Sequence, residues 1–375
     1  MSSAVQFYLA GVLVVAGVTI IACWGLDLQI GTAGVLNFGF IVFQAAGAYT
    51  FGLLTMGPAS GNTGQLYVGG TRLPFPVALI GAGVAGGIVA VPVGLLGLRR
   101  LRSDYQAIVF LVVSVIATDV VENARGLVNG AAGLSLVPQP LASVFHLQGT
   151  GYLWFYCVVV AVVGVLVWLM LRRITDAPLG RALRAVRESE QAAVALGKNV
   201  NALRLLVFVI GGVLAGLSGG LYIGYLGAWA PSGWLYPETF VFVTAIIVGG
   251  RGNKLGVLIG AVVVPAFGEV SQFLPGLGDP LLAGAIQWMF VGVLLLVFLW
   301  WLPQGIVPER KRVFPGGLRL LDAPGMVAPG GRVSPGGSVP AGGPLPAGGS
   351  LSPEGARQYG GSLPPVGPLE SRGPR

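Results

Sequence analysis

The chain has 375 residues, of which 54% are hydrophobic and only 10% are charged. A soluble domain carries about 25% charged residues, so this composition excludes an ordinary soluble fold and indicates that lipid is the main solvent. The net charge of +8 does not indicate nucleic-acid binding, because the basic residues lie in short clusters between apolar segments.

Nine apolar segments are candidate membrane spans, judged against the roughly 20 residues that a helical span requires. They are 5–24, 34–56, 75–98, 105–121, 152–171, 205–227, 238–250, 255–274 and 282–302. The second contains Asn37 and Gln44 among glycines, which predicts an interrupted or re-entrant helix. The predicted fold class is all-α, a polytopic transmembrane helical bundle of about nine spans, with about eight to ten compatible with the pattern.

Glycine spacing predicts where these helices pack closely. Gly212, Gly216 and Gly220 are four residues apart, so they share one face of the sixth segment. Small residues at this spacing let helix backbones approach each other in lipid. We therefore predict that these three glycines serve helix packing.

One long polar segment separates the fifth and sixth spans, and we name residues 172–204 the polar loop. Pro178 can open a helix there, and Gly197 can end it. A modest apolar face at near-helical spacing is formed by Leu183, Val186, Ala193 and Leu196. The residues alone leave two interpretations open: a helix that docks into a groove on a partner, and an interfacial helix that rests on anionic lipid.

Residues 308–375 form a separate region rich in Gly and Pro, as in PGGRVSPGGSVPAGGPLPAGG. Such composition buries too little apolar surface to offset the entropy lost on ordering. We expect residues 1–307 to form the transmembrane domain and residues 308–375 a disordered cytoplasmic tail. The tail is either inert or, through its Pro-rich segments, a ligand for a partner domain.

The sequence contains no recognisable catalytic or metal-binding set. The single histidine, His146, has no ligand cluster around it, and Cys23 and Cys157 lie alone in apolar segments. No lysine lies in a G-x-x-x-x-G-K-[ST] loop that would hold phosphate. We expect no catalytic residue, no metal and no cofactor bound by this chain, so any use of ATP and Mg²⁺ requires a partner ATPase.

The basic clusters predict orientation, since Lys and Arg accumulate in short cytoplasmic loops. A nine-span topology places four clusters on one side: 99–102, the polar loop, 251–254 and 310–312. It also places the N-terminus outside and the tail in the cytoplasm.

Several motifs resemble the permeases of ABC importers. QAAVALG, residues 191–197, resembles the E-A-A-x-x-x-G signature of their cytoplasmic loop, with Gln191 where that family has Glu. Four further segments resemble the branched-chain amino acid permeases of the LivH/LivM family: GVLNFGFIVFQAAGAYT (34–50), LRSDYQAIVFL (101–111), VGGRGNKLGVLIGA (248–261) and WLPQGIVPER (301–310). The second of these four is typical of the LivM-type subunit. Ser103, Phe110, Asn37 and Phe38 depart from the family pattern.

The resemblance implies a multi-pass permease subunit of the bacterial plasma membrane, which moves a small polar solute by ATP-driven alternating access. Branched-chain amino acids are the expected solute, while relatives with similar permeases carry urea, amides and other small polar solutes. The implied partners are a LivH-like second permease, two LivG/LivF-like ATPase subunits and an extracytoplasmic solute-binding protein. The alternative is a stand-alone secondary transporter or channel.

The resemblance also implies that the polar loop contains a coupling helix that docks the ATPase. The residues assigned to this helix are Arg181, Arg184, Arg187, Glu188, Glu190, Gln191, Ala192, Ala193 and Gly197. The candidates for the translocation path are Asn37, Gln44, Gly47 and Tyr49. In this family the binding protein does much of the selection, so we expect few polar contacts along the path.

Overall fold

The computed structural model describes most of the chain up to residue 309. The described residues are 3–59, 64–98, 101, 103–142, 148–271, 280–302 and 304–309. They belong to the first of two units, Met1–Lys311, and the second unit, Arg312–Arg375, lies outside them. The predicted tail therefore falls almost wholly outside the described residues, as does His146, and its disorder stays a prediction.

The described part of the chain is helical between its loops, which confirms the all-α class there. It contains no β-strand beyond two isolated bridges, Tyr67 with Val128 and Leu134 with Trp229. In chain order the helices are α1 (Ser3–Asp27), α2 (Ile41–Thr55), α3 (Phe75–Leu98), α4 (Ser103–Asn123), α5 (Arg125–Val128), α6 (Gly149–Asp176), α7 (Pro178–Glu188), α8 (Glu190–Ala195), α9 (Val200–Leu226), α10 (Pro237–Gly249), α11 (Lys254–Ser271) and α12 (Pro280–Trp301).

Six helical segments within the described residues are long and apolar enough to cross a membrane: Val5–Thr32, Phe75–Leu98, Tyr105–Asn123, Gly149–Asp176, Val200–Leu226 and Pro231–Gly249. Three shorter apolar helices, Ile41–Thr55, Lys254–Ala266 and Trp288–Trp301, lie where the second, eighth and ninth spans are predicted. A helix suits lipid because it satisfies its own backbone hydrogen bonds. Six spans therefore follow from length and composition, and the finer count of about nine stays a prediction.

The second predicted segment, 34–56, begins without helical structure, but its helix α2 is continuous from Ile41 to Thr55 and contains Gln44. After α1 the chain makes a π-helical turn, Leu28–Thr32, and residues 33–40 then have no helical structure. Helix α2 begins at Ile41, whose amide donates to the Thr239 hydroxyl at 3.3 Å. Asn37 thus lies in the unwound chain before the helix and not inside it.

Helix α9 lies at the centre of the bundle, between α2 and α3, and also packs on α1. A Cβ atom at Gly216 would collide with the Ala82 carbonyl oxygen of α3, and one at Gly47 of α2 would collide with the backbone of Gly216. Gly212 and Gly220 also lie against α3. The three glycines of the predicted stripe therefore face α3, Gly212 and Gly216 against its backbone and Gly220 against side chains.

Candidate functional site

The polar loop folds into two short helices, α7 and α8, where the sequence suggested one. The break occurs at Ser189, whose backbone is extended, with φ −154° and ψ 104°. The Ser189 hydroxyl then accepts a hydrogen bond from the Ala192 amide at 3.3 Å and so caps α8. Pro178 opens α7, as predicted.

A buried apolar side holds these two helices against the rest of the protein. Gly180, Leu183 and Val186 of α7 are buried. Val186 also packs with Ala193 and Val200 in a small cluster. Ala193 is therefore an internal packing residue at 3% exposure, and it is not part of a free surface. Leu196, predicted on the same apolar face, is instead 77% exposed.

Gly197 ends α8 with a left-handed turn. Its φ is +73°, its amide donates to the Val194 carbonyl at 2.9 Å, and the Lys198 amide donates to the Ala193 carbonyl at 3.0 Å. This pair of hydrogen bonds is the Schellman arrangement, in which glycine is favoured because other residues are strained at positive φ. No atom lies within 4 Å of a Cβ built at Gly197, so the turn and not crowding explains the glycine here.

Several charged groups of α7 and α8 bind residues outside these two helices. The Arg187 guanidinium donates to the Gly31 carbonyl, in the π-helical turn after α1, and to the Glu309 carboxylate at 2.8 Å. Arg184 donates to the Thr175 carbonyl at 3.3 Å. At the other end of the loop, the Glu190 carboxylate accepts from Arg204 at 3.0 Å. These contacts fasten the loop to the helix ends around it.

A second set of contacts joins α1, α6 and the start of α11 near the polar loop. We name the end of the molecule that carries the polar loop and Lys254 the basic face. The Asp27 carboxylate accepts from the Gly252 amide at 2.8 Å. The Trp24 indole donates to the Lys254 carbonyl at 2.9 Å, and the Lys254 ammonium donates to the Thr175 hydroxyl at 2.6 Å. Sequence reasoning missed these residues, although an acid at the end of a span, such as Asp27, is a signal for them.

Part of α7 and α8 and the turn after them remains exposed. Val194 is 57% exposed and Leu196 is 77% exposed. The polar and small residues exposed around them are Arg181, Glu188, Glu190, Gln191 and Ala192. An apolar centre with a polar rim suits insertion into a complementary groove.

The candidates for the path lie in four different settings. Asn37 is fully buried, and its amide nitrogen donates to the Gln29 side-chain oxygen at 2.9 Å while its oxygen accepts from the Gly39 amide at 3.0 Å. Gln29 in turn donates to the Phe208 carbonyl of α9 at 2.9 Å. These amides tie the unwound segment before α2 to the central helix.

The other three candidates lie along α2. Gly47 occupies the crossing with Gly216, and the backbone of Gln44 faces Gly219 one turn away. The Tyr49 hydroxyl accepts from the Trp234 indole at 3.3 Å, with the two rings edge to face at 6.2 Å. The structure thus places these residues in helix contacts and does not gather them into one cluster.

Comparison with known proteins gives consistent matches over most of the chain. The family model described as the permease component of the branched-chain amino acid transport system matches residues 8–302. The high-affinity branched-chain amino acid transport system permease protein LivM of Escherichia coli is 28% identical over 310 residues, covering 76% of this chain and 67% of that protein. The probable LivM of Methanocaldococcus jannaschii is 28% identical over 328 residues, covering 80% and 93%.

A shorter match links the chain to sugar permeases. The ribose import permease protein RbsC of Haemophilus influenzae is 30% identical over 135 residues, covering 33% of this chain and 40% of that protein. No solved structure matches the chain. The family match begins within α1, includes the polar loop and ends just after α12. The chain is a multi-pass membrane permease subunit and belongs to the family of permease components of the branched-chain amino acid transport system.

Proposed function

We propose that this chain is one of two membrane subunits of an ABC importer and passes branched-chain amino acids across the bilayer by ATP-driven alternating access. The observation that carries the proposal is the placement of the QAAVALG segment, 191–197. It lies within the family match and on the exposed helix α8 and its cap. Two relatives that cover most of this chain are LivM permeases.

The proposal includes partners that supply energy and selectivity. They are a LivH-like second permease, two LivG/LivF-like ATPase subunits and an extracytoplasmic solute-binding protein. ATP and Mg²⁺ belong to the ATPase subunits, and this chain binds no cofactor. We further propose about nine spans, with the basic face and the tail in the cytoplasm, because the charges of the polar loop and Lys254 lie at one end of the molecule.

The contacts of the polar loop divide its residues into two roles. Val194 and Leu196, with the exposed rim that includes Arg181, Glu188, Gln191 and Ala192, form the surface that docks the ATPase. Arg184, Arg187 and Ala193 hold α7 and α8 on the permease. Closure of the ATPase pair then displaces α7 and α8, and the helices shift between outward-facing and inward-facing packings.

The experiment measures leucine uptake and ATPase association of the complex in vesicles after Leu196→Asp. Leu196 is 77% exposed, and burying a charge there in an apolar groove of the ATPase would cost free energy. We expect leucine uptake and ATPase association each to fall by at least about tenfold. Leu136→Asp is the matched control, since Leu136 is 76% exposed, lies in a segment that the topology predicts on the other side of the membrane, and has a φ of +60° that suits Asp. ATPase association should survive in that control.

Two results would overturn the proposal. If the Leu196→Asp variant still bound the ATPase, the assignment of α8 as the docking helix would be wrong. Uphill transport of leucine by the chain alone, driven by an ion gradient without nucleotide, would establish a secondary transporter instead.

A further inference from the structure

A groove about 450 Å³ in volume runs along the outer surface between α1, α6 and α11. All the residues that line it are apolar or aromatic. On α1 the lining extends from Val12 to Trp24, which at 1.5 Å per residue is about 18 Å. One leaflet contributes about half of the roughly 30 Å hydrocarbon core, so the groove has the length of one acyl chain.

The groove is open to the bilayer along its side. Leu13, Val165 and Val262 line it, and each remains at least 40% exposed. The groove covers the depth of a single leaflet, which matches the length of one acyl chain and is about half that of a transmembrane helix. Its shape therefore favours a lipid chain over a transmembrane helix.

Among the described residues, positive charge borders the groove at the end where α6 finishes and α11 begins. That end is bordered by Trp24 and Trp168, residues typical of the membrane interface. The Arg172 guanidinium lies 5.6 Å from the centre of the Trp168 ring, and Asp176 lies 3.8 Å from Arg172. The Lys254 ammonium reaches from α11 to α6, where it donates to the Thr175 hydroxyl at 2.6 Å.

We propose that this groove binds an anionic phospholipid from the leaflet at the basic face. One acyl chain lies between α1, α6 and α11, and the headgroup phosphate binds Arg172 and Lys254. Basic pockets between transmembrane helices recognise anionic headgroups in this way. The site is separate from the proposed ATPase-docking surface, so either assignment can fail without the other.

The experiment uses the purified, delipidated full chain and compares phosphatidylglycerol with phosphatidylcholine of identical acyl chains. Native mass spectrometry counts bound lipid, and thermal unfolding reports its stabilising effect. The wild-type chain should retain phosphatidylglycerol preferentially. Arg172→Gln and Lys254→Gln should each weaken that preference about fivefold, the effect of one surface cation. Arg173→Gln, the neighbouring exposed arginine of α6, is the matched control and should change nothing.

A second variant tests the acyl-chain part of the site. Gly164 lines the groove, and a Cβ there would meet no atom within 4 Å, so Gly164→Leu should fold normally and fill the space. It should reduce binding of both lipids, whereas Gly292→Leu, at an equally open glycine of α12, should not.

Equal retention of the two lipids by the wild-type chain, or an unchanged preference in the doubly substituted chain, would overturn the proposal. So would loss of the second permease subunit from the complex on Gly164→Leu, because the groove would then be a subunit interface.

Discussion

Arg187 binds two acceptors that are far apart in the sequence. One is the Gly31 carbonyl in the π-helical turn after α1, and the other is the Glu309 carboxylate, 122 residues from Arg187. The Arg187 and Glu309 side chains are 25% and 30% exposed, so water screens the pair less than it would at an open surface. A planar guanidinium can serve both acceptors at once, which the single ammonium of lysine cannot do in the same geometry.

We expect Arg187→Gln to lower the free energy of unfolding by about 1–2 kcal/mol, because a charge-assisted hydrogen bond is lost. Combined with Glu309→Gln, the loss should be smaller than the sum of the two single losses by about 1 kcal/mol, since either change already breaks the pair. Denaturant titration of the purified full chain measures these values. Arg181→Gln, at an exposed arginine of the same helix, should stay within about 0.5 kcal/mol of the parent. Strictly additive losses would show that the ion pair contributes nothing.

At the scale of elements, α9 is held by close approach of backbones. Lipid tails offer no hydrophobic driving force between helices, so packing contacts provide the stability. Gly216 has the backbone of α3 on one side, at Ala82 and Gly83, and that of α2 on the other, at Gly47. A single glycine therefore sets the spacing of three helices.

Gly216→Ala should lower the free energy of unfolding by about 1–3 kcal/mol, because the new methyl group overlaps the backbone of α3. Gly292→Ala in α12 is the control, since a Cβ there meets no atom within 4 Å and alanine favours a helix by about 1 kcal/mol. Thermal unfolding of both variants should therefore shift in opposite directions. An unchanged transition for Gly216→Ala would mean that α9 and α3 separate easily.

At the scale of the whole molecule, the location of the helices was predictable and their packing was not. Hydropathy located α3 at its observed bounds, and it placed α6, predicted at 152–171, within Gly149–Asp176. A span that is apolar on every side does not reveal which side meets protein and which meets lipid. Only the glycine spacing carried that information, and it pointed to the face of α9 that meets α3.

The candidate site was predictable in position and only partly in detail. The polar composition of the loop identified it, but the apolar spacing continues through Ser189 and hid the break between α7 and α8. Ser189 as an N-cap residue with the acidic Glu190 in the first turn is a signal that favours a new helix at this point. The intrachain role of Arg187 could not be predicted, because its partner Glu309 is distant in the sequence.

The orientation of the molecule gives a further prediction. Lys198→Cys, exposed at the basic face, should react with an impermeant thiol reagent only from the cytoplasm, and Leu136→Cys only from outside, since basic loops stay inside. The native thiols interfere little, because Cys23 is buried and Cys157 donates to the Ala10 carbonyl within the helix bundle. If the Lys198→Cys variant were labelled from outside, the predicted orientation would be wrong.

The hydrogen-bonded side-chain amides of Gln29 and Asn37 bear on how a transported solute would be selected. Both ends of the Asn37 amide are already engaged, and Gln29 is bound to the backbone of α9. Both side chains are also fully buried, so a solute could bind these amides only after the packing around them opens. A translocation path past Asn37, as proposed from the sequence, would therefore offer a solute few polar contacts, and discrimination between solutes would fall to the proposed solute-binding protein.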